Sequence, residues 1–210
     1  MKTCISLLLC FFTLNAVAST TAMTENGDVV ILNKDGTWQY QDENAAMEVE
    51  IPTNPNKFTQ PDSSNFTLKS SKTNSSFAIN SKKWKFKKNK NGHESAEYTF
   101  EFNDGDIYGM AISEQVQVDV EELVKIAFNN ALAAAPDTQI IKKEYRMVNG
   151  HKVIYMEMIG TIQSIKFQYL GYYYSNESGS TQFLAYTGAN LVKKFQDDID
   201  NFLNGFSVSP

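Results

Sequence analysis

The fold is decided by the stretch from Gln139 to Tyr186, QIIKKEYRMVNGHKVIYMEMIGTIQSIKFQYLGYYYSNESGSTQFLAY. Isoleucine, valine, tyrosine and phenylalanine dominate it, turn-forming residues separate the apolar runs, and no run has the apolar period of about 3.6 residues that a helix requires. The pair Asn149-Gly150 favours a two-residue hairpin, because both central positions of a type I′ turn need a positive φ. The stretch therefore predicts a meander of four antiparallel strands.

The two faces of this meander have different compositions. Side chains alternate along a strand, so Ile154, Met156 and Met158 share one face, which we interpret as core. The other face mixes aromatic rings with polar groups, at Tyr155, Glu157, Gln168, Leu170, Tyr172 and Tyr174. Tyrosine is enriched in binding hot spots, so one hypothesis is that Tyr155, Glu157, Tyr172 and Tyr174 contact a partner or ligand. The alternative is that a helix covers this face and that the tyrosines are core residues with bonded hydroxyls.

Two amphipathic helices flank the meander. The first is predicted from about Val120 to Ala135, with Asp119 as N-cap and Glu122 completing a capping box. The second is predicted from about Asn190 to Asn204, and its apolar residues fall on one face. Both helices are expected to pack on the sheet.

Lysine is concentrated just before the first clear hairpin, with six lysines among the nine residues 82–90. Trp84 and Phe86 alternate with Lys83, Lys85 and Lys87, which predicts a strand with aromatic rings on one face and lysines on the other. The favoured interpretation is an edge strand whose lysines oppose aggregation. The alternative is a basic patch, formed by Lys83, Lys85 and Lys87, that binds an anionic surface such as lipid headgroups.

The N-terminus has the pattern of a secretory signal peptide over residues 1–18. Lys2 precedes an apolar run from Ile5 to Leu14, and small residues end at Ala18, where cleavage is expected. Both cysteines lie within this segment, so the mature chain would have no disulfide; a lipid on Cys10 is the less favoured alternative. The protein is therefore expected to be exported, to the periplasm or the medium, with no transmembrane segment in the mature chain.

Four segments follow from composition: the signal peptide at 1–18, a β-hairpin segment at 19–40, a linker at 41–65 and a main domain at 66–210. The hairpin segment contains Asn26-Gly27 and Asp35-Gly36 turns, and the linker is polar and contains three prolines.

The predicted fold class is α+β, with an antiparallel sheet of about six strands, two packed helices and the small N-terminal hairpin. The net charge of −5 disfavours nucleic acid as a partner.

Residues with catalytic potential are few. His93 and His151 are the only histidines, and each follows an Asn-Gly pair typical of an exposed turn. The acidic residues from Asn103 to Asp106 are explained by a hairpin turn rather than a calcium loop. No catalytic, cofactor or metal site is therefore predicted, although a hydrolase that uses the scattered carboxylates Glu97, Glu101 and Glu157 is the alternative.

The order of elements resembles the PsbP-like or DcrB-like α/β sandwich family over roughly residues 66–208. The residues that carry the resemblance are the strand from Phe77 to Asn80 with Trp84, the helix VDVEELVKIAF, the hairpin from Val148 to His151 and the closing segment from Phe202 to Val208. A separate short segment, Asp-Gly-Thr-Trp-x-Tyr ending at Tyr40, resembles a segment of exported bacterial proteins. The resemblance implies a non-enzymatic accessory or binding protein of the envelope, with an envelope protein or a small apolar ligand as its partner.

Overall fold

The computed structural model describes residues 20–24, 29–41, 51–89, 95–103 and 105–209. The predicted signal peptide, the Asn26-Gly27 turn, His93 and residues 42–50 of the predicted linker lie outside the described residues. The chain divides into two compact units, Met1–Glu48 and Val49–Pro210. No helix in the described ranges is long and apolar enough to cross a membrane.

The first unit contains a small antiparallel sheet with the order β1-β2-β3. Its strands are β1 (Thr20–Met23), β2 (Val29–Leu32) and β3 (Trp38–Tyr40). The Asp35-Gly36 turn connects β2 to β3, and Gly36 has the positive φ of 84° that such a turn requires. The Asp35 carboxylate accepts hydrogen bonds from the Thr37 backbone N–H and hydroxyl, which fixes the turn.

The second unit contains the remaining strands and both helices. In chain order its elements are β4 (Thr53–Phe58), β5 (Phe66–Lys69), β6 (Ser75–Ile79), β7 (Trp84–Lys88), β8 (Tyr98–Phe102), β9 (Ile107–Glu114), α1 (Val120–Ala134), β10 (Gln139–Val148), β11 (His151–Ile162), β12 (Ile165–Asn176), β13 (Gly179–Gly188), α2 (Val192–Leu203) and β14 (Phe206–Val208). One sheet has eight strands in the order β4-β10-β11-β12-β13-β9-β8-β7, and a second has three in the order β14-β6-β5.

The predicted meander is confirmed, since β10 to β13 pair antiparallel in sequence order. Asn149 and Gly150 both have positive φ, 49° and 86°, as the hairpin prediction required. Asn149 also anchors the turn, because its side-chain N–H group donates to the carbonyls of Asn204 and Phe206. The two helices lie close to their predicted bounds, and Asp119 caps α1, although it accepts from Glu121 N rather than completing a capping box.

The predicted antiparallel sheet of about six strands is wrong. The large sheet has eight strands and is mixed, because β4 pairs with β10 in parallel. Residues 53–58, within the predicted linker, supply that strand. Their polar sequence TNPNKF suits a sheet edge, where one side of the strand pairs with nothing and a proline is tolerated. The hairpin β8-β9 extends the same sheet through β13, whereas β5, β6 and β14 form the separate sheet.

The two helices lie against opposite faces of the eight-stranded sheet. Leu123, Val124 and Ala127 of α1 pack with the face of β11 that bears Met156 and Met158. Phe195, Ile199 and Phe202 of α2 pack on the other face, and the three-stranded sheet contributes Phe77, Ile79 and Phe206 to the same core. Aromatic rings fill that second core closely: the Phe202 ring lies 4.1 Å from Trp84 and 4.4 Å from Phe183, between ring centroids.

Candidate ligand-binding cleft

The α1 face of the sheet carries a cleft of about 710 Å³, which we term the α1 cleft. Its walls are α1 on one side and strands β9, β11, β12 and β13 on the other, and the segment from Glu114 to Val118 borders it before the helix begins. The volume falls within the range of about 300–1,000 Å³ that is usual for small-molecule sites.

The helix wall of the cleft follows one face of α1. Its lining residues recur at intervals of three and four, at Leu123, Ile126, Ala127, Asn130, Ala131 and Ala134. From Ala127 onward this face is mostly alanine, and these short side chains fill less of the space beside the strands than larger ones would, which leaves the cleft. Near the end of the helix the gap narrows, because a Cβ added at Gly160 of β11 would lie only 2.7 Å from Thr138 Oγ1.

The sheet wall is apolar and partly flexible. Met110, Met158 and Leu184 line it, and methionine side chains adapt readily to irregular contents. Leu184 packs directly over Gly171. A Cβ at position 171 would lie only 2.1 Å from Leu184 Cδ2, so a larger residue there would displace Leu184. At the rim, Tyr169 stacks on Tyr186 and Tyr186 on Tyr108, with ring centroids 5.2 and 5.7 Å apart.

Tyr173 is the most unusual residue of the cleft lining. Its side chain is fully buried, and its hydroxyl has no hydrogen-bond partner among the described residues. Burial raises the pKa of Tyr173 well above its ordinary value, so the hydroxyl keeps its proton at neutral pH. Buried hydroxyls are normally bonded, and an unbonded one costs stability.

Polar side chains are a minority of the lining: Ser95, Glu114, Asn130, Thr138, Tyr169, Tyr173, Ser180 and Gln182. Gln182 lies directly opposite Tyr173 in the β12–β13 pair. Glu114, at the exposed end of β9, is the only charged residue among the described residues that line the cleft. The apolar side chains of Val116 and Ile126 are 60% and 46% exposed at the mouth. The cleft can therefore bury an apolar molecule against walls that are mostly apolar.

The tyrosines singled out from the sequence lie on the opposite, α2 face. Tyr155 and Tyr172 are each 1% exposed, and their hydroxyls donate to Glu157 and Asn204 over 2.6 and 2.7 Å. Burial raises the pKa of Tyr172 to about 12. Tyr174 is half-buried near the end of β12 and packs against Phe206. Tyr155 and Tyr172 are thus core residues under α2, which matches the alternative interpretation of that face.

Arg146, whose role the sequence does not indicate, ties these tyrosines to a buried ion pair. Its Nε donates to Glu144 Oε1 over 2.6 Å, and its guanidinium lies 3.4 Å from the Tyr155 ring centroid. The pKa of Glu144 would be raised by burial, but hydrogen bonds from Asn54 and Arg146 outweigh that effect and hold it below its usual value. Both side chains of the pair are engaged with neighbours in the core, since Arg146 also lies near the Tyr172 hydroxyl and Glu144 accepts from Asn54.

The predicted basic patch divides between a salt bridge and a strand edge. Lys83 Nζ lies 2.6 Å from Asp198 of α2, whereas Lys85 and Lys87 are exposed on β7, the outermost strand of the large sheet. Phe86 stacks on Phe66 at 5.3 Å between centroids and is 41% exposed.

The three carboxylates of the hydrolase alternative have separate partners. Glu97 accepts from Ser70 and Ser71, Glu157 accepts from Tyr155 and Gln168, and exposed Glu101 lies opposite Lys85. Within the described ranges, no three histidine, cysteine, aspartate or glutamate side chains are placed to hold one metal ion.

Comparisons with known proteins identify a fold and a family. The solution structure of cyanobacterial PsbP (CyanoP) from Synechocystis sp. PCC 6803 aligns with a TM-score of 0.55 and 14% identity, over 70% of this chain and 94% of that one. Putative regulator PA94 from Pseudomonas aeruginosa (9% identity, 60% of this chain, 83% of that one) and LpqN, involved in cell envelope biogenesis of Mycobacterium tuberculosis (10%, 61% and 79%), both align with a TM-score of 0.44.

The CyanoP alignment shows that the chain has a PsbP-like fold, as its element order predicted. No curated protein matches the sequence. A family model described as "Protein of unknown function (DUF3157)" matches residues 1–145, which is more than half of the chain. The chain therefore belongs to the DUF3157 family.

Proposed function

We propose that this protein is an exported, non-enzymatic accessory protein of the bacterial envelope that binds a small apolar ligand in the α1 cleft. The observation that carries the proposal is the cleft itself, with its apolar walls and its volume of about 710 Å³. Burial of apolar ligand surface contributes about 25 cal/mol per Å², so an apolar molecule of this size has a sufficient driving force.

Two further observations support a binding role. The α2 face of the same sheet is closely packed with aromatic rings, so the space on the α1 face is a local feature and not loose packing throughout. Each carboxylate of the hydrolase alternative is engaged separately or exposed, which favours binding over catalysis. Export rests on the N-terminal sequence pattern.

A fluorescence titration with the neutral apolar probe N-phenyl-1-naphthylamine tests the proposal on the mature chain. Ala134 and its neighbour Ala133 are both exposed, but only Ala134 lines the cleft, so the chain offers a matched pair of variants. Ala134→Trp should fill the cleft and weaken probe binding at least tenfold, and Ala133→Trp should leave it unchanged. Failure of the wild type to bind the probe, or equal binding by both variants, would overturn the proposal.

A further inference from the structure

The unpartnered hydroxyl of Tyr173 indicates what kind of ligand the α1 cleft accepts. The hydroxyl belongs to a fully buried side chain in the cleft lining, and it has no hydrogen-bond partner among the described residues. A buried O–H group without a partner is costly in the free protein. A ligand atom that accepts from it would remove that cost on binding.

The Tyr173 hydroxyl is available as a donor. Burial disfavours the phenolate and keeps the proton in place at neutral pH. The ligand must therefore supply an acceptor, such as a carbonyl, ester or ether oxygen. Met110 and Met158 share this wall, and their flexible side chains can move aside to admit a ligand oxygen.

The charge of the lining argues that this acceptor is neutral. No lysine, arginine or histidine lies among the described lining residues, and the single charged one, Glu114, is acidic. A carboxylate or phosphate buried beside Tyr173 would lose its hydration without gaining a cation, which is strongly unfavourable. The Gln182 carboxamide, opposite Tyr173 across the strand pair, adds a neutral polar group that can donate or accept.

We propose that the ligand of the α1 cleft is a neutral amphiphile, an apolar chain or ring system bearing an uncharged oxygen that accepts a hydrogen bond from Tyr173. This inference rests on the proposed function, since it names the class of ligand for the same cleft. Ionised fatty acids resemble this class in shape, but the proposal excludes them because of their charge.

Competition against the bound N-phenyl-1-naphthylamine at pH 8 tests it with three compounds of similar size: methyl decanoate, undecane and decanoate. Methyl decanoate should bind the wild type about tenfold more tightly than it binds Tyr173→Phe, the size of one hydrogen bond. Undecane should bind both proteins equally, and decanoate should bind most weakly.

The adjacent residue supplies the control. Tyr172 lies on the opposite face, and its hydroxyl is bonded to Asn204. Tyr172→Phe should lower the melting temperature and keep the affinity for methyl decanoate, whereas Tyr173→Phe should melt no lower than the wild type because it removes an unpartnered hydroxyl.

The possible failures are distinguishable. If undecane binds, and methyl decanoate binds the wild type and Tyr173→Phe with equal affinity, the proposed hydrogen bond is overturned but the cleft remains an apolar binding site. Preference for decanoate would overturn the neutral class. Failure of all three compounds to displace a probe that does bind would overturn this ligand class, and failure of the probe itself to bind would overturn the cleft as a binding site.

Discussion

Arg146 of β10 illustrates how one residue can join three neighbouring strands of the large sheet. It is 6% exposed, bonds Glu144 and lies 4.5 Å from the Phe58 ring of β4 and 3.4 Å from the Tyr155 ring of β11, measured to the ring centroids. A planar guanidinium can stack and donate at the same time, which an ammonium group cannot do. Arg146 therefore links the edge strand β4 to β11 across β10.

We expect Arg146→Met to lower the free energy of unfolding by about 3 kcal/mol, because it leaves the buried Glu144 carboxylate without its closest cation. Lys142 also approaches Glu144, at 3.3 Å, but its side chain is 45% exposed, so Lys142→Met should cost less than about 1 kcal/mol. Urea denaturation of the two variants checks this difference. Similar losses in both would show that Arg146 is not a structural link.

Glu97 is a buried carboxylate whose ionised form the fold stabilises. Burial by itself would raise the pKa of Glu97, but hydrogen bonds from Ser70 and Ser71 and the charge of Lys88 outweigh it, so the pKa lies below the ordinary value of 4.5. A carboxyl with a depressed pKa contributes stability that is fully present above its unfolded pKa. That stability is lost as the pH falls through the folded pKa.

The melting temperature should therefore fall as the pH drops from about 5 to 3, and the fall should be shallower in Glu97→Gln, which has no proton to gain. At pH 7 the same variant should melt below the wild type, since it loses charge-assisted hydrogen bonds. Glu101→Gln, at an exposed position on β8, serves as the control and should follow the wild type. Parallel pH profiles for the wild type and Glu97→Gln would refute this assignment.

At the scale of elements, the two edge strands of the large sheet use different protections. β4 carries Pro55, which cannot donate a ladder hydrogen bond, and β7 carries exposed Lys85 and Lys87. Either feature discourages pairing with another chain. The outermost position of β7 is the one that the edge-strand interpretation of the lysine-rich sequence predicted.

Replacing Lys85 and Lys87 together by valine should promote association of the native protein while leaving its melting temperature nearly unchanged. Lys152 and Lys166 make a control with the same change in charge, since they are exposed on β11 and β12, which are paired on both sides. Light scattering at increasing concentration separates the two double variants. Equal association would mean that lost charge, and not the strand edge, is responsible.

The strand β4 makes residues before Phe66 part of the second unit. Its Asn54 side chain donates to Glu144, its Phe58 carbonyl accepts from Asn149 N, and the preceding Pro52 carbonyl accepts from Tyr145 N. Phe58 also covers Arg146. The boundary at residue 66 that composition predicts therefore leaves out a strand of the sheet.

A chain that begins at residue 49 should consequently melt higher than one that begins at residue 66, by about 10 °C if β4 contributes about 3 kcal/mol. Thermal unfolding followed by circular dichroism makes the comparison. Identical melting temperatures would indicate that β4 contributes little to the stability of the unit.

At the scale of the whole molecule, the features that could be predicted from the sequence are those determined by short-range patterns of residues. The Asn149-Gly150 turn, the alternating faces of β11 and β12 and the periodicity of both helices are local, and all are found. The parallel pairing of β4 is not local, because residues 53–58 meet residues 145–148 far along the chain. Alternation also separates Tyr172 from Tyr173 correctly, but it cannot tell which helix covers which face.

The α1 cleft could not be predicted from the sequence, because it is a space between α1 and the sheet that depends on how these distant segments pack. The one available signal is the run of alanines at the end of α1, which is compatible with close helix packing as well as with a gap. Tyr173 becomes notable only when its surroundings show that nothing accepts its proton. The proposed function depends on the difference between a filled α2 face and an unfilled α1 face.

Methyl-detected NMR of the mature protein with bound methyl decanoate tests that difference most directly. The account predicts nuclear Overhauser contacts from the ligand chain to Ile112, Ile126 and Ile162, which line the α1 cleft. It predicts none to Ile79, Ile107 and Ile199, which are buried in the core on the α2 face. Contacts confined to the second group, or no saturable contacts at any isoleucine, would contradict the assignment of the α1 cleft as the binding site.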